Sequence, residues 1–348
     1  MDIGSCGEFS LIERLKKCVT APPDFVIIGI SDDAAAFETG AGRVTVMTAD
    51  AFVEGVHFDL SFVPFRDLGW RAMAANLSDI AAMGGRPTWA TVCLCIPPSC
   101  PVESLEALYA GMDDVAAPLG CRIVGGDTTS SPSGLMIAIS LLGEVQRERI
   151  TPRSGVRPGD LFCVTGHLGG ARAGLEVLRR RHLGRPLPGH FEAAVKKFLR
   201  PVPRVREASA LGDAAAIHAA IDISDGLSSE VHHLCRMSRV GARIEGGSIP
   251  IHAETDAVAR LCGEEGLAFA LSGGEDFELL FAVAPHDAET VARAVQAATG
   301  APVSVLGEAV PPEEGVRIRR DGAWHPLANA GYEHFKVQRP AVSGQQKS

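Results

Sequence analysis

Four apolar, strand-like runs in this chain of 348 residues run straight into aspartate. FVIIGISDD reaches Asp32 and Asp33, VTVMTAD reaches Asp50, CRIVGGD reaches Asp127, and AAIDISDG carries Asp222 and Asp225. Strand formers that give way to acidic turns fit the carboxyl ends of strands in open α/β sheets, where ligands gather. Asp79, in ANLSDIAAMG, falls instead within a helical pattern of nearly all apolar neighbours. Buried carboxylates are costly unless paired or bound to a cation. Apart from Arg122, no Lys or Arg lies within these segments. Each aspartate alone reads equally well as a helix cap or turn acid. As a set of oxygen ligands without His or Cys they favour Mg²⁺, Ca²⁺ or Mn²⁺ over zinc, and Mg²⁺ commonly shares a few carboxylates with substrate phosphates. The pattern points to metal-bridged phosphate chemistry.

The rest of the chain alternates in the same way. EFSLIERLKKCV (8–19) has helical spacing, with Phe9, Ile12, Leu15 and Val19 on one face. Strands are expected over 25–30, 43–48, 88–96, 121–126 and 135–145, and helices over 66–83 and 103–117. The segment RERITPRSGVRPGD (147–160) is charged and rich in Pro and Gly, which places a domain boundary there. Beyond it, strands over 161–165, 219–223, 277–283 and 302–308 mix with helices over 170–181, 191–199, 227–238 and 287–298. The fold class is therefore α/β plus α+β in two domains, 1–150 and 151–336, with a polar, disordered tail over 337–348.

Composition narrows the function. Lys and Arg number 33 against 42 Asp and Glu, a formal charge of −9, so the chain has no general attraction for nucleic acid or an anionic membrane. A polyanionic substrate would need local neutralisation, which a divalent metal supplies. No apolar run approaches the length of a membrane span, and the acidic, alternating N-terminus is not a secretory signal. Nine cysteines without framework spacing fit a reducing cytoplasm, and Cys93, Cys95 and Cys100 are expected to be packing residues.

Several familiar sites are missing. VTGHLGGARAGL places Gly169 and Gly174 five apart after a strand, but Leu175 stands where a P-loop has lysine. Gly169-Gly170 is expected to open a helix instead. There is no GxGxxG and no GxSxG. His232, His233 and Cys235 lack metal-site spacing and are expected on a part-buried helix face.

Taken in order, the motifs resemble the thiamine-monophosphate kinase family, in the superfamily of aminoimidazole ribonucleotide synthetase and selenophosphate synthetase. They are GEFSLIERL (7–15), GISDDAA (29–35), TAD (48–50), GVHF (55–58), NLSDIAAMG (76–84), GGDTT (125–129), TPRSGVRPGD (151–160), DISDGL (222–227), LSGGEDFELLF (271–281) and GYEHF (331–335), spanning nearly the whole chain. The resemblance implies ATP- and Mg²⁺-dependent transfer of the γ-phosphoryl group to thiamine monophosphate, giving thiamine diphosphate. It also implies several Mg²⁺ ions and a homodimer, with N-terminal strands pairing across it. Asp33, Thr48, Asp50, Asp79, Asp127, Asp222 and Asp225 match metal positions, with Asp222 and Asp127 central to catalysis. Gly126, Asp127, Arg153 and Ser224 match nucleotide contacts, and His57, Glu275 and Tyr332 match contacts to the thiamine phosphate.

Two positions depart from the family pattern: Ser31 replaces the second glycine of GIGDD, and Ala49 replaces a hydroxyl residue beside Asp50. A selenophosphate synthetase would carry a reactive Cys in a glycine-rich N-terminal context that Cys6 lacks. A hydrogenase-maturation relative would end in cysteine, whereas this chain ends in QQKS. A purine-pathway synthetase, a phosphohydrolase and a non-catalytic nucleotide-binding protein are the remaining alternatives. Substrate-dependent ADP release and product identity separate them.

Overall fold

In the computed structural model, which describes residues 8–18, 25–30, 32–40 and 42–334, the strand-forming runs assemble into two sheets. The first contains β1 (Val26–Ile28), β2 (Ala35–Gly40), β3 (Arg43–Val53), β4 (Arg86–Ile96), β5 (Arg122–Ser130) and β6 (Met136–Gln146). Their spatial order is β1-β2-β3-β6-β4-β5, antiparallel throughout except for the parallel pair β4–β5. Side chains alternate across this sheet. Val44, Val46, Thr48 and Phe52 of β3 are buried on one face, where α2 (Phe65–Ala82) and α3 (Val102–Ala116) cover the sheet. On the other face Met47, Leu142 and Trp89 form a row, and Met47 and Trp89 remain 42% and 53% exposed. The described N-terminal helix, α1, is Glu8–Lys16.

The second sheet has the order β13-β12-β9-β11-β7-β10-β8. Its strands are β7 (Leu161–Thr165), β8 (Ile217–Asp222), β9 (Gly241–Glu245), β10 (Leu279–Val283), β11 (Val303–Val310), β12 (Val316–Arg320) and β13 (Ala323–Pro326). Its helices are α4 (Gly170–His182), α5 (Glu192–Leu199), α6 (Val205–Ala214), α7 (Leu227–Ser238), α8 (Ala253–Leu261), α9 (Gly266–Ser272) and α10 (Ala288–Thr299). Strands β7 and β10 are interior strands, with Phe162, Val164, Leu280 and Phe281 fully buried, which explains their continuous apolar sequence.

Helix α2 holds the two sheets together. From Leu68 to Ala82 it is buried nearly all round, with apolar residues on every face and a few polar ones among them. Besides the first sheet it packs on β8, α5 and α6. Trp70 Nε1 donates to Pro201 O at 2.7 Å, and Arg200 Nε donates to Asp67 Oδ1 at 2.6 Å. Its crossing with α3 depends on two glycines. A Cβ on Gly69 would lie 1.9 Å from Leu108 O, and one on Gly111 would lie 1.8 Å from Arg66 O.

Several expectations are corrected. Strand β3 runs on to Val53 and β5 to Ser130, so Asp50 and Asp127 lie within strands, not beyond their ends. Cross-strand pairing extends both runs past the point where local apolar character stops. Cys93, expected to be packed, is exposed on the open face of the first sheet. Strands β2, β9, β12 and β13 and helices α6, α8 and α9 were not expected; they are short, and β12 (VRIRR) is too charged to read as a strand. Gly169 does cap α4, and His233 and Cys235 are packed as expected. Cys6, Val19, Ser31, Phe335 and the tail from Val337 lie outside the described residues. Among the described residues, no helix is long and apolar enough to cross a membrane.

The α2–α3 crossing yields a stability prediction. Gly69→Ala should cost about 3 kcal/mol, because backbone must move to admit the methyl group. Gly247→Ala, with open space around its Cβ position, should be near neutral. Urea unfolding midpoints of the two variants would compare them, and equal midpoints would show that the crossing is not close-packed.

Candidate active site

Three carboxylates from distant parts of the chain meet where the two sheets join. Oxygens of Asp33, Asp79 and Asp222 all lie within 4.8 Å of one another. Asp33 sits in the turn between β1 and β2, Asp79 is near the C-terminal end of α2, and Asp222 ends β8. Ser78 Oγ donates to Asp222 Oδ2 at 2.6 Å, and Thr48 Oγ1 donates to Asp79 Oδ2 at 2.5 Å. Asp50 shares the α2 face of β3 with Thr48 and completes the acidic group.

The positive charge offsetting this group is Arg153, from 120 residues away in sequence. Its Nη2 and Nε grip the two oxygens of Asp33 at 2.7 and 3.0 Å. Asp32 accepts the Arg153 backbone N–H, which fixes where that side chain starts. One guanidinium is insufficient for the cluster. Burial, and next the charges of Asp50 and Asp222, push the Asp79 carboxyl well above its ordinary value. Burial and then Asp33 push Asp222 up to about 8 and Asp50 up to about 6. Asp222 Oδ1 is fully buried and has no hydrogen-bond partner among the described residues. An orphaned buried acceptor inside an all-oxygen donor set fits a hard divalent cation.

The DISDGL turn continues the site. Glu230 Oε1 accepts the backbone N–H of both Ser224 and Asp225, at 3.1 and 2.7 Å. The turn in turn holds the other candidate residues. Glu275 N–H donates to Ser224 O at 2.8 Å, and Tyr332 N–H donates to Asp225 O at 3.0 Å. In SGGED a Cβ on Gly274 would lie 2.3 Å from Ser224 O, so that glycine lets two backbones meet.

His57, Glu275 and Tyr332 converge on one side of this turn. The His57 ring lies 5.2 Å from His334, which stands edge-on to Tyr332 at 4.9 Å. Burial and then His334 lower the His57 pKa, so this ring is neutral at pH 7. Glu275 Oε2 accepts from Arg71 Nη2 at 2.6 Å. The next acids of the same loop reach elsewhere: Asp276 accepts the backbone N–H of Gly169 and Ala171 at the start of α4, and Glu278 is paired with Lys197 and Arg204.

Gly126 and Asp127 stand apart. They lie on the exposed edge strand β5, and Asp127 is in register with Cys93, on the opposite face from Asp50. Ser78, Glu230, Arg71 and His334 were not singled out from sequence. Arg71 and Ser78 carried a usable signal: they are polar residues seven apart, two turns along one face of an apolar helix.

Comparison with known proteins follows this geometry. Residues 31–145 match the family model described as AIR synthase related protein, N-terminal domain, and residues 157–319 match its C-terminal domain. The chain is 37% identical to the thiamine-monophosphate kinase of Escherichia coli (strain K12) over 332 residues, 95% of this chain and 99% of the relative. It is 32% identical to the thiamine-monophosphate kinase of Bacillus subtilis (strain 168), over 94% and 99%. A solved structure, AaThiL complexed with AMPPCP and TMP, superposes with a TM-score of 0.82 at 30% identity, covering 96% of this chain and 99% of that one.

The raised carboxyl of Asp222 gives a pH prediction. Its folded pKa, about 8, exceeds its ordinary 3.8, so its share of ion-free stability is present in acid and lost as pH rises through 8. A divalent cation must displace that proton, so stabilisation by Mg²⁺ should grow from about pH 6 to about pH 9. Asp222→Asn should raise the ion-free melting temperature at the upper pH and shrink the Mg²⁺ shift. Thermal melts with and without Mg²⁺ would check this; identical shifts in both proteins at both pH values would exclude Asp222 as a ligand.

Proposed function

This chain belongs to the thiamine-monophosphate kinase family of AIR synthase-related proteins, and from that premise we propose that it phosphorylates thiamine monophosphate to thiamine diphosphate at the expense of ATP. The observation that carries the reading is the convergence of Asp33, Asp79 and Asp222, with an orphaned buried oxygen, at the junction of the two sheets. Asp33, Thr48, Asp50, Asp79, Asp222 and Asp225 would hold Mg²⁺ ions. Bound there, Mg²⁺ would supply charge neutralisation between two polyanions, the main demand of phosphoryl transfer.

The protein's own groups do the positioning. The acceptor is a phosphate monoester whose second pKa is about 6, so it is mostly ionised at neutral pH and needs no general base. A direct, in-line attack on the γ-phosphorus follows. Arg153 would contact the phosphate chain, since its planar fork suits two oxygens. Ser224 and Gly126 complete the nucleotide side. Asp127 would serve both the nucleotide and a metal ion from the edge strand β5, on the sheet face opposite Asp50. His57, Glu275 and Tyr332 form the acceptor side, next to the metal cluster through the 222–225 turn.

In this reading residues 1–150 bind metal and nucleotide, and 151–336 complete the site. We also propose a homodimer. The support is the uncovered apolar row of Met47, Leu142 and Trp89, which buries well only against another surface. A cytoplasmic setting suits both substrates.

Incubation of the purified protein with ATP, Mg²⁺ and thiamine monophosphate is the test. Thiamine diphosphate and ADP should form in equal amounts, and EDTA should abolish both. Free phosphate without thiamine diphosphate would make it a phosphohydrolase, and no ADP with this acceptor would remove the kinase reading.

A further inference from the structure

Among the described residues Arg71 is the largest fully buried side chain, and it is charged. It lies on α2, two turns before Ser78, with its side chain 1% exposed. A buried guanidinium is normally retained with its donors satisfied, because a stranded one is strongly destabilising. Here only Nη2 is bonded, to Glu275 Oε2 at 2.6 Å and to the backbone oxygen of His57 at 3.2 Å. Nε and Nη1 have no partner among the described residues. The guanidinium carbon sits 4.0 Å from the centre of the Phe198 ring, a cation–π contact that holds its plane in place. Apolar residues of similar volume would pack here at lower cost, so fold stability alone does not account for Arg71.

The two groups on Nη2 supply the explanation. Both belong to the acceptor side, one from the first half of the chain and one from the second. Glu275 also has a left-handed backbone, φ +63°, which a non-glycine residue adopts only under constraint. Its carboxylate remains 28% exposed, open to a ligand on one side and bonded to Arg71 on the other.

We propose that Arg71 is a positioning residue for the acceptor: it fixes the Glu275 carboxylate and the His57 backbone relative to each other. The inference rests on the kinase reading above and deepens it. Arg71 touches no substrate atom; it acts through Glu275. With the guanidinium beside it, the Glu275 carboxylate presents a hydrogen-bond acceptor inside a neutral pair. It therefore selects an acceptor molecule that offers an N–H donor, such as an aminopyrimidine. Among the described residues the hydrogen bonds of Arg71 go to Glu275 and His57 and none to the carboxylate cluster, so the ATP side should not depend on it.

The experiment is a double-mutant cycle on the full protein, using Arg71→Met, Glu275→Gln and the pair, with KM measured separately for thiamine monophosphate and ATP. Arg71→Met should raise the thiamine monophosphate KM about tenfold or more and leave the ATP KM within about twofold. The double variant should lose clearly less than the product of the two single losses, because both changes weaken the same Arg71–Glu275 pair and only the His57 bond is lost with Arg71 alone. Additive losses, or equal rises in both KM values, would overturn the proposal. Should Arg71→Met not fold, Arg71→Lys decides. Lysine lacks the rigid fork, so the same split between the two KM values is expected at smaller size, and an unchanged acceptor KM would overturn the role. A wild-type protein that makes no thiamine diphosphate removes the kinase reading itself, whereas an active wild type with an additive cycle removes only the role of Arg71.

Discussion

The contact between Ser78 and Asp222, 2.6 Å long and 144 residues apart in sequence, joins the helix that backs the first sheet to the end of a strand in the second. Around it the structure concentrates carboxylates whose mutual repulsion is only partly offset by Arg153. Folding the ion-free protein therefore works against the electrostatics of its own site. Burial and the neighbouring carboxylates push the Asp79 and Asp222 carboxyls upward, which lessens the repulsion, while the buried packing of α2 holds the site together. Strain held at a site and offset by a rigid surround is what preorganised charge neutralisation requires.

Helix α2 is the structural reason the site exists at one place. Its apolar faces satisfy the first sheet and α3. Three of its polar residues reach the site: Arg71 bonds Glu275, Ser78 bonds Asp222, and Asp79 joins the carboxylate cluster. A helix pinned by close backbone contact at Gly69 and Gly111 cannot slide, so these three side chains keep fixed relative positions. The spacing between acceptor and metal is thus set by helix geometry and not by a mobile loop.

Much of this was legible in the sequence because strand and helix periodicity and the runs into aspartate are local signals. Asp33, Asp50, Asp79 and Asp222 could be singled out from their unfavourable surroundings alone. The strand extents were read less well: β3 and β5 continue through Asp50 and Asp127 because neighbouring strands hold them, and pairing of that kind leaves no local mark. Asp127 illustrates the difference. Its sequence context matches that of the other acids, yet the register of β5 turns it to the other face of the sheet. Partners across long separations were the other gap. Arg153 on Asp33 and Arg71 on Glu275 are 120 and 204 residues apart, and nothing in either segment announces the other.

The segment Glu275–Glu278 has a consequence for how the molecule is assembled. Three of its four residues are acids, and each is tied to a different remote element: Glu275 to α2, Asp276 to the start of α4, and Glu278 to Lys197 and Arg204. These links close loops of 204, 105, 81 and 74 residues. Loop closure on that scale loses chain entropy before any contact compensates for it, so such links form after the more local structure. Both sheets and α2 must already be in place for the segment to find its partners. The Glu275–Glu278 loop is therefore a late product of folding: a partly folded chain can carry most of its secondary structure and still lack the ordered loop beside the carboxylate cluster.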